Sequence, residues 1–155
     1  MSLESVRAFF AEKAPDIAVI ESSKSSATVA LAAEVFGVAP GRIAKTLSLR
    51  VGDRVVLIVA SGTSRMDNKK AKAVLGGKPK MLNAFEVVEI TGHDVGGVCP
   101  FGLKSPLQVY CDMSLRAYDE VVPAAGSIHS AVRIAPSRMA ELVGAEWVDV
   151  CQDGA

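Results

Sequence analysis

The segment Gly96-Gly97-Val98-Cys99-Pro100-Phe101-Gly102 is the part of this 155-residue chain best suited to chemistry. Glycines let a backbone come close to a ligand and aim N–H groups at it, and Pro100 fixes one end of the loop. Such a loop suits an oxyanion, although a plain tight turn has the same composition. Cys99 could act as a nucleophile if the neighbouring N–H groups favour its thiolate. A small residue that fits between Gly97 and Pro100 is the plainer reading, because no partner base is evident in the sequence. The loop gains meaning in company with Thr28, Lys45, Asp112 and His129.

Other candidate chemistry is weaker. Gly76-Gly77-Lys78 lacks the earlier glycine and the following Ser or Thr of a phosphate loop and reads as a helix end. His93-Asp94 suggests a catalytic pair, yet no nucleophile elbow accompanies it, and a surface turn is expected. Two His and three scattered Cys give no zinc spacing, so no metal or other cofactor is expected.

The elements that must position these residues follow from pattern and punctuation. Residues 3–13 read as an amphipathic helix broken at Pro15, and Ile17 to Ile20 as a short strand. Thr28 caps a helix from Val29 to Phe36 that stops at Gly37. Leu47–Val51 and Arg54–Val59 flank Gly52-Asp53 as a hairpin, the second strand apolar enough to be covered on both faces. Lys45 then stands just before the first of these strands, at the sheet's rim. Helices are expected from Asp67 to Leu75 and from Ala84 to Ile90. Strands are expected over Leu107–Cys111, Glu120–Val122, Ala131–Ile134 and Trp147–Val150, with a helix from Pro136 to Val143. No linker or repeat divides the chain, and 155 residues suit one domain, 1–155. Strands and helices mix without regular alternation, which predicts an α+β fold with a curved mixed sheet.

Seventeen acids balance seventeen bases, so wrapping of DNA or another long duplex is not expected, and RNA contact should be local. Six bases between Arg65 and Lys80 face one acid, Asp67, either as a solvated helix face or as a local phosphate-contacting patch. Aromatic residues make up only 5%, which argues against a stacking platform for single-stranded RNA. Three cysteines suit a reducing cytoplasm, and the acidic N-terminus shows neither a secretory signal nor a membrane span.

From about Ser26 to Pro136 the chain resembles the YbaK-like aminoacyl-tRNA editing proteins, free-standing relatives of the editing domain inserted in bacterial prolyl-tRNA synthetases. Four elements carry the resemblance: Thr28 with Ala44-Lys45-Thr46-Leu47, the Gly96-x-x-x-Pro100 loop, Asp112 at a strand end, and Ala125-Gly126-Ser127-Ile128-His129. The resemblance implies a barrel-like sheet flanked by helices and hydrolysis of the ester joining a wrong amino acid to a tRNA 3′ end. Proline tRNA is the expected tRNA, and prolyl-tRNA synthetase a possible partner. It implies a functional role for Lys45 and a pocket formed by Thr28, Gly96, Pro100, Asp112, Ser127 and His129. A cation on so long a stem would contact the terminal nucleotide, the alternative being an exposed lysine at the rim. Backbone N–H groups of Gly97, Val98 and Cys99 are the expected oxyanion donors. Asp112 would hold the substrate ammonium, orient His129, or simply cap the turn at Met113-Ser114. His129 would contact the amino acid or serve the structure. Gly126-Ser127-Ile128-His129-Ser130-Ala131 departs from the Gly-Gly-Lys-Arg-Gly-Leu-Asp-like stretch of YbaK proteins proper. Cysteinyl specificity is therefore not carried over, and removal of Ala, Cys, Ser or Thr stays open. A non-catalytic module that binds an acceptor end or a protein partner is the alternative. The oligomeric state is not set by the sequence.

Overall fold

The computed structural model describes residues 2–152. Its centre is the hairpin of β2 (Ile43–Val51) and β3 (Arg54–Ser61), paired in register from Ala44↔Ser61 to Val51↔Arg54. Gly52 makes the turn at φ +62°, a conformation that costs glycine little. β3 is buried from Val56 to its end and lies between β2 and β5 (Gln108–Asp112), the central place its apolar run predicts. β5 is parallel to β3 and to β8 (Glu146–Val148).

β2 begins four residues before the expected start, so Lys45 lies within the strand and pairs with Ala60. On its outer edge β2 meets two short strands. β4 (Lys80–Met81) pairs at Leu49 and Arg50, and β6 (Val122–Pro123) pairs at Ile43 and Ala44. β4 went unforeseen because two exposed residues carry no periodicity. β1 (Ile20–Glu21) and β7 (Ser130–Ala131) form a separate two-stranded sheet. The strand expected over Ala131–Ile134 is thus reduced to β7, with Ile134 making an isolated bridge to Val121.

The main sheet is open, and the barrel-like closure expected from the resemblance is not found. Its order is β4-β2-β3-β5-β8, with β6 also on β2, and among the described residues no pairing joins β8 to the opposite edge. Edge strands of two or three residues are too short to complete a ring, and β7 is taken by β1.

Helices cover both faces. α1 (Ser2–Lys13) sets Val6 and Phe10 into one core with Leu57, Val59 and Phe101. Phe10 and Phe101 pack with their rings tilted by 59° and 4.7 Å between centroids. α5 (Pro136–Val143) adds Met139 and Ala140 to that core. α3 (Asn68–Leu75) covers the other face with Ala71 and Leu75 against Leu49 and Ile58, and Asp67 caps its first turn. α2 (Val29–Phe36) packs beside Ile43, Val122 and Ala131. α4 (Ala84–Thr91) opens with a capping box of Asn83 and Glu86.

Candidate active site

Between the places where β4 and β6 attach, the outer edge of β2 is open, and a cavity of about 110 Å³ lies against it. One wall is Ser26 to Val29 at the start of α2, where Thr28 caps the helix as the sequence predicts and accepts the Leu31 N–H at 3.2 Å. The opposite wall is Val95, Gly96 and Val98, and Ser130 and Ala131 of β7 complete it. The floor is small and apolar, with Ala32, Ile43 and Val122. Among the described residues Lys45 is the one charged residue in the lining.

Lys45 donates from Nζ to the Ser64 carbonyl oxygen. Burial pushes this ammonium below the ordinary lysine value, with Cys151 opposing the shift and Arg65 reinforcing it. Its neighbour Thr46 is a residue that sequence reasoning quoted but assigned no role. Thr46 Oγ1 is buried with no hydrogen-bond partner among the described residues, an arrangement that costs about 1–3 kcal/mol unless a ligand satisfies it. The Ser48 carbonyl accepts the Leu82 N–H at 3.0 Å across the same edge, and residues two apart in a strand direct their backbone groups to the same side. The N–H and C=O of Thr46 therefore face the open edge as well.

The glycine loop serves the cavity by close approach. A Cβ on Gly97 would come within 2.5 Å of Ser127 N and 2.8 Å of Gly126 C, so only glycine lets these two backbones pack. A Cβ on Gly96 would strike Ile128 and Ala27. Gly126 N–H donates to the Gly97 carbonyl at 3.0 Å, and Ser26 N–H to the Ile128 carbonyl at 2.6 Å. Gly97 N–H is itself committed to the Asp94 carbonyl at 2.9 Å, which removes it from the expected oxyanion donors. Val98 and Cys99 N–H have no acceptor among the described residues, and Val98 lines the cavity.

Several residues expected together are placed apart. Gly97, Cys99, Pro100, Asp112, Ser127 and His129 do not line the cavity. Asp112 borders a different depression with Ser61, Ser114 and Cys151. Its Oδ2 accepts Ser114 N–H at 2.8 Å and its Oδ1 accepts Val150 N–H at 2.8 Å, so it caps the turn and ties β5 to the C-terminal segment. Burial alone would raise this carboxyl, and the donors outweigh it and hold it below the usual range. His129 Nδ1 contacts the Lys24 carbonyl at 3.2 Å, and Ser127 Oγ accepts His129 N–H at 3.1 Å. Asp112 and His129 do not orient each other.

The family model for the aminoacyl-tRNA editing domain matches residues 23–142, a span that contains the whole cavity lining. The chain belongs to that family. The editing domain is 48% identical over 155 residues to the uncharacterized protein YwhH of Bacillus subtilis, covering 99% of each. It is 31% identical over 121 residues to a candidate Cys-tRNA(Pro)/Cys-tRNA(Cys) deacylase, EbsC, of Enterococcus faecalis, covering 76% of this chain and 73% of that one. The crystal structure of a candidate trans-editing enzyme for prolyl-tRNA synthetase superposes with a TM-score of 0.90 at 32% identity, covering 97% of each chain. The enzyme class expected from the sequence, aminoacyl-tRNA deacylase, is the class its relatives represent. Among the described residues no helix is long and apolar enough to cross a membrane.

One pairing in the editing domain was not foreseen. His93, expected in a surface turn, is fully buried, and its Nε2 lies 3.7 Å from Cys99 Sγ. The pair does not form a nucleophile. Nε2 lies 2.7 Å from the Phe101 carbonyl, which can only accept, so Nε2 carries the proton and Nδ1 accepts from Ser2 Oγ. Burial pushes the Cys99 thiol up to about 12. Burial also lowers the His93 pKa, against the opposing effects of the Phe101 carbonyl and Asp94. The unfolded chain then binds the His93 proton more readily than the folded one. Stability from this group is complete above pH about 6.5 and falls as pH drops below it. Urea denaturation at pH 7.5, 6.5 and 5.5 should show that fall in the native chain and a shallower one in His93→Gln. Parallel curves would sink the assignment.

Proposed function

We propose that this editing domain, residues 1–155, hydrolyses the ester between a small wrong amino acid and the 3′ end of a tRNA in the cytoplasm, with proline tRNA as the substrate. The observation that supports the reading is the cavity: about 110 Å³, floored by Ala32, Ile43 and Val122, with one cation and one unsatisfied hydroxyl. A small, apolar-floored space suits the side chain of Ala, Cys, Ser or Thr, and discrimination by pocket size is the logic of a second sieve.

An aminoacyl ester is already activated, so positioning and stabilisation of the developing oxyanion are the main demands. The open edge of β2 at Thr46 offers a donor and an acceptor to the aminoacyl group. Val98 N–H, with no acceptor among the described residues, serves the oxyanion. Lys45 sets the terminal nucleotide by meeting its phosphate or ribose. Water attacks the carbonyl carbon, the bond to the ribose oxygen breaks, and the neighbouring ribose hydroxyl assists the proton transfer, leaving a free amino acid and tRNA. No carboxylate lines the cavity, so no side chain there is assigned as general base.

The test is deacylation of proline tRNA charged in turn with alanine, cysteine, serine and threonine. At least one should lose its amino acid well above the rate in buffer. If none does, the hydrolase reading fails and a binding module takes its place.

A further inference from the structure

Residues 80–98 leave the sheet at β4, form α4 and return to the cavity wall at Val95, and this segment exposes apolar side chains that the fold does not use. Phe85 is 74% exposed and Met81 62% exposed. Val88, one turn beyond Phe85, is exposed too, because α4 buries only Val87 and Thr91. The other four phenylalanines pack in or against the cores.

Two lysines lie close to this patch in the chain. Lys78 and Lys80 are exposed and have no ion pair among the described residues. Glu86, next to Phe85, is neutralised by Arg50 at 2.7 Å, and Glu89 bounds the patch on its C-terminal side. The patch adjoins the cavity, since Lys80 pairs with Arg50, Met81 with Leu49, and Leu82 N–H reaches the Ser48 carbonyl, two residues from Thr46.

We propose that this β4–α4 surface receives the unpaired 3′ end of the tRNA, one base stacking on Phe85 beside Met81 while Lys78 and Lys80 meet the phosphates. The inference rests on the hydrolase reading for the nature of its ligand. A lone exposed aromatic ring among free ammonium groups is how single-stranded nucleic acid is held, because every base has a face to stack and every linkage a charge. A protein partner is a poorer match, since lysine is depleted at the centre of such interfaces. Low aromatic content argued against a stacking platform, but composition counts rings without saying which one is left outside.

The experiment compares wild type, Phe85→Ala and Lys78→Glu/Lys80→Glu in two assays, with the same charge reversal at Lys13 as control. One assay is deacylation of the misacylated proline tRNA that wild type accepts. The other is anisotropy of a labelled, uncharged acceptor microhelix ending in an unpaired 3′ strand. Phe85→Ala should raise KM and Kd about tenfold with kcat nearly constant, a loss typical of one stacked base. The lysine pair should weaken binding and lower the salt slope by about 0.7 per lysine. Lys13→Glu should change neither. If wild type deacylates and all variants match it in both assays, the docking surface is wrong while the hydrolase reading stands. If wild type deacylates nothing yet binds the microhelix through Phe85, the hydrolase reading fails and the surface stands. Sedimentation that shows a wild-type dimer dissociated by Phe85→Ala would assign the patch to a second copy of the chain and overturn the proposal.

Discussion

Lys45→Met should lower kcat/KM for misacylated tRNA about a hundredfold or more, the usual consequence of losing the group that sets a reacting bond in place. Methionine keeps most of the apolar stem, so packing against β2 survives and only the ammonium is lost. Lys45 is the single charged residue in the cavity lining among the described residues, so its loss leaves that lining without a cation. Lys45→Ala should show the same loss, and circular dichroism should report a native fold for both. By contrast, Cys99→Ala should retain turnover within a few-fold, because its thiol is buried away from the cavity and held up to about 12 by that burial. Wild-type turnover in Lys45→Met would remove the ammonium from the mechanism.

Gly97→Ala should damage both the fold and the cavity. Its Cβ would meet three backbone atoms of residues 126 and 127 at 2.5 to 2.8 Å, and backbone cannot swing aside as a side-chain tip can. Overpacking of this kind costs about 3 kcal/mol, or roughly 6–12 °C in Tm for a chain of this length. Turnover should fall further than stability, because parting the two loops displaces Val98 from the cavity wall. Gly37→Ala is the informative contrast. Gly37 sits at φ +67° with nothing within 4 Å of an added Cβ, so its loss is the conformational penalty alone, about 1–2 kcal/mol. Equal melting temperatures for Gly97→Ala and wild type would mean that the loops do not approach as described.

Local signals carried much of the fold. Thr28 and Gly37 bracket α2 as read from the sequence, because a cap and a left-handed stop act over four residues. The β2–β3 hairpin and the central place of β3 were legible for the same reason, with a glycine turn between two apolar runs. The missing parts depend on partners distant in sequence. Nothing in Lys80-Met81 announces a strand until Leu49 and Arg50 are beside it. The closed sheet was an expectation from resemblance, and strand lengths at the two edges decide against it. In the site, Lys45 and Thr28 line the cavity as expected, whereas Asp112 reads identically in sequence whether it faces a substrate or caps a turn. Thr46 was hidden in plain view within the segment that names Lys45. Its significance is an edge left open by two short strands, which no local pattern encodes.

The tie between the stretch before α2 and the turn before β7 has a consequence for assembly. Ser26 and Ile128 are joined across 102 residues of sequence, and the Gly97–Gly126 bond links two further loops. Closing loops of that length is entropically costly, so such contacts form late, after the hairpin and its helices have collapsed. They also involve short segments with few bonds, the kind that open before the sheet does. A chain still folding, or one whose rim has locally opened, has its sheet but no cavity. Competence of the cavity is therefore a property of the last contacts made and the first ones lost.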